Sequence, residues 1–297
     1  MARNAKKHAR AGWSWTTKLA VVLILLVLAV LLGWWLWQTY GPGRAIDGQL
    51  EVHVIDVGQG DSILVRCGKE TMLVDAGLKD AGDDVVAYLR AQGIRKLDRV
   101  VITHDHNDHR GGLQQVLQEI DTRTLMLYDK GDRESGYLLA GQLAGSSSCE
   151  FAFLEKGQQF SLGEATVNVI FPRAGYTTDD LNDASLVLLV ECAGKRVLLT
   201  GDSTAAAELL YYEELPRVDV LKVAHHGSGG SNSTELLQRI KPRIALISCG
   251  ANNEYGHPHK RVLRDLQGVG AAVYRTDRQG NLVVTLQDGR FRVKSEK

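Results

Sequence analysis

Apolar and polar positions alternate in short blocks along most of the chain, but one block differs in kind. Residues 19–37, LAVVLILLVLAVLLGWWLW, carry no charge. As a helix rising about 1.5 Å per residue, this run nearly spans a bilayer core of about 30 Å. Trp34, Trp35 and Trp37 stand at its far end, where an aromatic belt is expected. Arg3, Lys6, Lys7, Arg10 and Lys18 stand at or before its near end, and the first acidic residue is Asp47. The positive-inside rule places the N-terminus in the cytoplasm and everything after Tyr40 outside. A cleaved signal peptide is the competing reading. The run is long, however, and the flank WQTYGPGR offers no small-x-small cleavage site, so an uncleaved anchor is expected. The predicted organisation is a cytoplasmic basic segment 1–18, a transmembrane anchor 19–37, a linker 38–48 and a domain 49–297.

From Gln49 onward the period switches between that of a strand and that of a helix. Short β-branched blocks bounded by glycine predict strands at 49–56, 62–67 and 70–74. Helical spacing follows at 83–92, with Gly93 in the position after the C-cap. A strand is expected at 98–103, a helix at 111–120 and a strand near 124–128. The stretch to about 160 is less regular. Strands then return at 166–171, 185–192 and 196–200, followed by a helix at 203–213 and a strand at 218–224. Asn232 with Glu235 fits a capping box opening a helix at 233–240. Strand 243–249, helix 260–267 and a final hairpin near 272–293 complete the pattern. Strands plus helices, twice over, predict two sheets packed face to face with helices outside.

Composition changes this picture little: 44% hydrophobic and 24% charged residues describe a packed globular chain. Charge matters more. The net is zero over 35 basic and 35 acidic residues, but five basic ones precede residue 41, so the outer part carries a net of −5. That excludes a uniformly basic nucleic-acid-binding surface. Cys67, Cys149, Cys192 and Cys249 are far apart in apolar, strand-like settings with no CxxC pair, and read as buried free thiols.

The chemistry concentrates in histidine. Seven of the nine histidines fall in three clusters: His104, His106 and His109; His225 and His226; His257 and His259. Each cluster follows a predicted strand, so three loops can meet at one sheet edge. The first lies in THDHNDHRGG, residues 103–112. Imidazole and carboxylate mixed at this spacing suit a borderline divalent metal, zinc first and manganese as the alternative. Asp202 also follows a strand, in VLLTGD. Asp61 and Ser62 either hydrogen-bond at the site or shape a turn. His257 and His259 can bind a phosphate, act as a general acid or supply a ligand, or else form a polar loop around Pro258; His257 is also an alternative to His226 as a ligand. The run GSGGSNS (227–233) either lets a backbone approach a substrate or is a flexible connector.

THDHNDHRGG resembles the metal-binding loop of the metallo-β-lactamase fold family. The order VDAG (74–77), histidine loop, LTGD (199–202) and KVAHHGS (222–228) matches it too. More narrowly, DVGQGDS (56–62), NDASLVL (182–188), LKVAHHGS, YGHPH (255–259) and YRTDRQG (274–280) resemble the metallo-β-lactamase-like domain of ComEC-type DNA-uptake proteins. The resemblance covers about residues 49–290. It implies an αββα four-layer sandwich with a dinuclear site at one edge. Carried over by motif, His104 and His106 hold one ion. Asp108 and His109 hold the other, Asp202 bridges, and His226 completes the second site with His225 close by. Asp75 buttresses a metal histidine from behind. Two departures stand out. Where many relatives place a histidine before the LTGD strand, this chain has NDAS, leaving Asn182 or Asp183 in its place or a weaker first site. Conversely, this chain keeps the second histidine of the first loop, which ComEC-type relatives often lack.

The implied activity is hydrolysis at a two-metal centre, with His225 or His257 protonating the leaving group. A phosphodiester of nucleic acid is the expected substrate, linked to DNA uptake. The alternatives are another exported hydrolase, acting on a phosphorylcholine-type phosphoester, a lactone or a β-lactam, and a non-catalytic accessory of the uptake machinery. With one span, the chain is not itself the uptake channel.

Overall fold

The computed structural model describes residues 14–40, 50–128, 141–142, 145 and 148–297. The chain divides into two compact units, Met1–Arg44 and Ala45–Lys297. In the first, a helix runs over Trp15–Tyr40, and its stretch Trp15–Trp34 is long and apolar enough to cross a membrane. Residues 1–13 of the expected basic segment and 41–48 of the expected linker lie outside the described residues.

The second unit is built on two sheets. The larger orders its strands β15-β14-β1-β2-β3-β4-β5-β6. Its members are β1 (Leu50–Val54), β2 (Ile63–Cys67), β3 (Glu70–Val74), β4 (Lys96–Ile102), β5 (Asp121–Tyr128), β6 (Glu150–Leu154), β14 (Leu282–Gln287) and β15 (Arg290–Ser295). The smaller orders β13-β12-β11-β10-β9-β8-β7. These are β7 (Gln159–Leu162), β8 (Ala165–Phe171), β9 (Val187–Cys192), β10 (Lys195–Leu199), β11 (Val220–Lys222), β12 (Ile244–Ile247) and β13 (Ala272–Arg275).

Side-chain alternation explains the layers. Along β2, Ile63, Val65 and Cys67 face the space between the sheets, while Leu64 faces the outer helices. In β4, Val101 points inward and Val100 and Ile102 outward. In β12, Leu246 points inward and Ala245 and Ile247 outward. Both faces of these strands are buried, so they read as continuous apolar runs. The outer face of the larger sheet packs on Val85, Val86 and Leu89 of helix Gly82–Ala91 and Leu113, Val116 and Leu117 of helix Leu113–Glu119. The outer face of the smaller sheet packs on helices Thr234–Ile240 and Lys260–Gly268. This is the αββα sandwich that the motifs imply.

Four elements differ from the sequence reading. The helix expected at 111–120 is present as Leu113–Glu119, and a short helix that the pattern does not predict, Asn107–Arg110, precedes it. The one at 203–213 breaks into Ala205–Glu208 and a 3-10 turn at Tyr212–Glu214. Ser233, not Asn232, caps helix Thr234–Ile240, accepting the Leu236 N–H. The expected hairpin at 272–293 belongs to two sheets: β13 lies parallel to β12, and the true hairpin is β14–β15. Helix Lys260–Gly268 joins β12 to β13 as a crossover, and pattern alone does not reveal which sheet a strand joins. The irregular middle contains β6 and β7.

At Gly112 the helix pair comes close to the end of β3. Its N–H donates to Gly77 O at 3.1 Å, and an added Cβ would strike Ala76 O and lie 2.9 Å from Gly82 Cα. Gly112→Ala is expected to destabilise the domain by about 1–3 kcal/mol or more, because backbone, not a flexible tip, is in the way. The check is a lower urea midpoint at unchanged slope.

Candidate metal centre

The C-terminal ends of parallel strands from both sheets deliver the predicted site residues. β3 leads to Asp75, and β4 to Thr103, His104, His106, Asp108 and His109. β10 leads to Asp202, β11 to His225 and His226, and β12 to the loop carrying His257. Gly201 has φ +50°, and an added Cβ would sit 3.1 Å from side-chain carbons of Ser185 and Thr103. Glycine there lets the two sheet edges close.

Asp108, His109, Asp202 and His226 offer ligand atoms that all lie within 4.8 Å of one another. His109 Nε2 is 3.2 Å from Asp202 Oδ1. His226 Nε2 is 3.3 Å from Asp108 Oδ2 and 3.4 Å from Asp202 Oδ2. Yet His109 Nε2, Asp202 Oδ1 and His226 Nε2 are all buried without a hydrogen-bond partner. They approach one another but are not aligned to bond. Two ligands at about 2.0–2.1 Å from a tetrahedral zinc are themselves about 3.3 Å apart. The donor set, its spacing and its orphaned atoms therefore fit a divalent ion. Electrostatics point the same way. Burial alone would lower both imidazoles, but Asp202 and Asp75 push His109, and Asp202 and Asp61 push His226, well above the ordinary histidine range. Burial would raise Asp202, but the same two imidazoles hold it well below the usual carboxylate range. The cluster favours positive charge at its centre.

The other two histidines of the first loop form a pair beside this group. His104 Nε2 lies 3.1 Å from His106 Nδ1, and the His104 ring centroid is 4.2 Å from that of His109. Burial, then the neighbouring His109, holds His104 well below the ordinary range, ready to ligate as neutral imidazole. Asn182 and Asp183 stand on a 3-10 turn, Leu181–Ala184. Asp183 accepts the Thr204 hydroxyl, whereas Asn182 Oδ1 is buried without a partner.

Groups behind these residues fix them. Asp75 accepts from His109 Nδ1 at 2.8 Å and takes the Thr103 N–H and hydroxyl at 2.8 Å each. This leaves His109 Nε2 to face the centre. His226 Nδ1 meets Ser248 O at 3.0 Å and Asp61 Oδ1 at 3.3 Å. Asp61 is fully buried and paired with the equally buried Lys222 at 2.6 Å. Burial would raise Asp61, but Lys222 and then His226 hold it well below the ordinary range. Ser62 donates to Asp75 O at 3.2 Å, so it braces a neighbour rather than facing the centre. His225 and His226 both adopt left-handed backbone, at φ +50° and +54°. Such strain costs about 1–3 kcal/mol per residue and needs bracing. Asn232 supplies it, bonding Ala224 N at 3.0 Å and Ala224 O at 2.9 Å. Glu208 takes the Asn232 and Ser233 N–H groups, and Arg261 takes the carbonyls of Gly229, Ser231 and Asn232. The GSGGSNS segment is thus pinned along its length.

A cavity of about 280 Å³ opens over the centre, lined in part by His106, Asp108, Asp202, His225, His226 and His257. His225 Nε2 is 3.7 Å from Asp202 Oδ2. Burial lowers His225, and burial with His226 and His225 beside it lowers His257 to about 4. His259 instead accepts the Gly229 N–H at 2.7 Å, tying its loop to the pinned segment. The sequence reading named every residue of the cluster but passed over Lys222, Ser248, Thr103 and Tyr255. Lys222 had a signal: it is the one charge in LKVA at the end of an apolar strand, and lysine is almost never fully buried unless paired.

Removing Lys222 leaves Asp61 charged and alone in the interior. Lys222→Met is expected to cost about 3–5 kcal/mol, and Asp61→Asn added to it should recover part of that loss; chemical denaturation of both variants checks this. His109 and His226 are both held above the ordinary histidine range, so a metal competes with protons for their ring nitrogens. Affinity should therefore fall as pH drops, with net proton release on binding, read by calorimetry in buffers of different ionisation enthalpy.

The sequence matches the family described as the metallo-beta-lactamase superfamily over residues 55–251. ComE operon protein 3 of Bacillus subtilis (strain 168) is 32% identical over 260 residues, 80% of this chain and 33% of that protein. Competence protein ComA of Neisseria gonorrhoeae is 32% identical over 266 residues, 87% of this chain and 35% of that protein. The chain spans about a third of the length of these curated relatives. The metallo-beta-lactamase fold protein YhfI from Bacillus subtilis has the same fold, with a TM-score of 0.56 at 14% identity over 80% of this chain and 99% of that one. With its motifs, its two-sheet architecture and this match in agreement, the chain belongs to the metallo-beta-lactamase superfamily.

Proposed function

We propose that this chain is a membrane-anchored, extracytoplasmic dinuclear-metal hydrolase that cuts phosphodiesters of DNA and serves DNA uptake. The observation that carries the hydrolase is the set of orphaned, converging atoms on His109, Asp202 and His226. The competence proteins among the relatives support the link to DNA. The apolar helix Trp15–Tyr40, with basic residues clustered before it, supports the anchor, the cytoplasmic N-terminus and the linker to a domain from residue 49.

On this reading His109, His226, Asp108 and Asp202 hold one ion. His104 and His106 hold the other, helped by the unpartnered Asn182 carbonyl or by Asp183, with Asp202 reaching both. Zinc suits these ligands best and manganese is the alternative. When bound, the ions supply Lewis acidity and lower the pKa of water so that it attacks at neutral pH. The protein's own groups do the rest. Asp75 and Ser248 hold two imidazoles in one tautomer. His257 faces the cavity as neutral imidazole; an arriving anionic phosphoryl group raises its basicity, so that it takes up the proton lost by the attacking water and passes it to the leaving oxygen. His225, across the same cavity, is the second group able to do so. A domain with a net charge of −5 gives DNA little bulk attraction, so the ions must neutralise the phosphate locally.

The test uses the full chain in detergent with end-labelled single- and double-stranded DNA and zinc or manganese. Metal-dependent cutting is expected, falling by more than about 100-fold in Asp202→Ala, since even groups behind metal ligands carry about 10–100-fold effects. Metal-loaded protein that cuts no DNA but turns over phosphorylcholine esters, lactones or β-lactams would overturn the nuclease reading. Metal-free protein inert to all of them would favour the accessory role.

A further inference from the structure

The centre explains why a phosphate would bind, but not what happens to the groups on either side of it. A second cavity of about 400 Å³ adjoins the metal cavity and shares Gln59, Asn107, Asp108 and Tyr255 with it. Tyr255 therefore stands on the boundary between the two. It is 65% exposed. Its ring lies nearly parallel to that of His257, at 22° and 5.5 Å between centroids. One face of the tyrosine rests on a residue of the metal cavity, and the rest of the ring is free.

The loop that presents it is rigid. Asn253 Nδ2 donates to Gly250 O at 2.9 Å and His257 O at 2.7 Å, and Asn253 Oδ1 takes the His257 N–H at 2.9 Å. Gln59 Oε1 accepts the Gly250 N–H at 3.1 Å from the opposite side. The ring is held out on a braced loop, not left loose. Around it, the carboxamides of Asn107 and Asn252 line the adjoining cavity with no partner among the described residues. A free aromatic face beside unpaired amides is the chemistry that receives a planar heterocycle with donors and acceptors on its edge.

We propose that Tyr255 and the adjoining cavity form a nucleobase subsite, in which a base next to the scissile phosphodiester stacks on Tyr255 and meets the carboxamides of Asn107 and Asn252. The proposal rests on the phosphodiesterase reading and names the form of its substrate. A base inside a duplex is already stacked and paired, so the subsite selects single strands or frayed ends. Base identity matters little, because every base has a face to stack.

Two measurements test this with the full chain in detergent. The first is KM for single-stranded oligonucleotides, normal or carrying an abasic residue beside the cut. Y255A should raise KM about 5- to 100-fold on normal strands, Y255F should restore most of the affinity, and the abasic strand should erase the difference between them. Equal loss on both strands would overturn the subsite in favour of a structural role for the loop. The second measurement is independent of cutting. An oligonucleotide carrying 5-iodouracil is irradiated with the Asp202→Ala protein, and the adduct is mapped by mass spectrometry. Cross-linking at Tyr255 is expected; none there, with strands bound, would overturn the subsite. A wild-type protein that cuts no strand yet cross-links at Tyr255 would overturn the nuclease reading and leave the subsite standing.

Discussion

Three fully buried carboxylates, Asp61, Asp75 and Asp202, crowd one end of the two sheets, and the rest of the structure depends on how their charge is balanced. Buried anions in a low-dielectric interior need cations or donors close by. Among the described residues, Lys222 is the one lysine or arginine paired with any of them, and its partner is Asp61. Asp75 is met by the Thr103 N–H and hydroxyl and by His109, and Asp202 is left facing the imidazoles of His109 and His226, with His225 slightly farther off. Positive charge at the point where His109 and His226 converge would therefore stabilise the fold as well as serve its chemistry. Protons on the imidazoles or a divalent ion could supply it.

That requirement explains the unusual backbone around the centre. Two successive left-handed histidines are costly, and a helix cap would be the ordinary use of an asparagine in the next loop. Asn232 instead spends its carboxamide on Ala224, the residue just before the histidine pair. Ser233 takes over the cap. Glu208 and Arg261 then hold the amides and carbonyls between the two anchor points. Glycine-rich sequence reads as slack, but here it allows a backbone tight enough for side chains to grip on both sides.

Much of the site was legible because its residues sit in short runs directly after strands. THDHNDHRGG, LTGD and HHGS each place their candidate ligand atoms just past a strand end, and parallel strands bring those ends together. What was not legible depends on partners far away in sequence. Asp61 could have been a turn residue until Lys222, 161 positions on, appears beside it. Tyr255 looks like any loop tyrosine until its cavity is seen. The fold errors have the same origin. β13 shows a strand pattern, but its membership in the smaller sheet is settled by pairing with β12 across helix Lys260–Gly268. β6 was missed because its half-exposed residues blur the alternation that marks a strand.

On the proposed reading the two halves of the centre would not be equivalent, and the difference is physical. On the His109–His226 side both imidazoles are braced from behind, by Asp75 and by Ser248 and Asp61, and Asp202 is carried at a strand end. The His104–His106 side has two imidazoles in contact with each other, and on the proposed reading its third ligand would come from Asn182 or Asp183. Asp183 is already engaged with Thr204, which leaves a neutral carboxamide oxygen as the free donor. A neutral oxygen adds no charge to the site, so an ion there would rely on sharing Asp202 with its neighbour. On the proposed reading, the second ion therefore binds more weakly than the first and arrives after it, when Asp202 has already been oriented by the first.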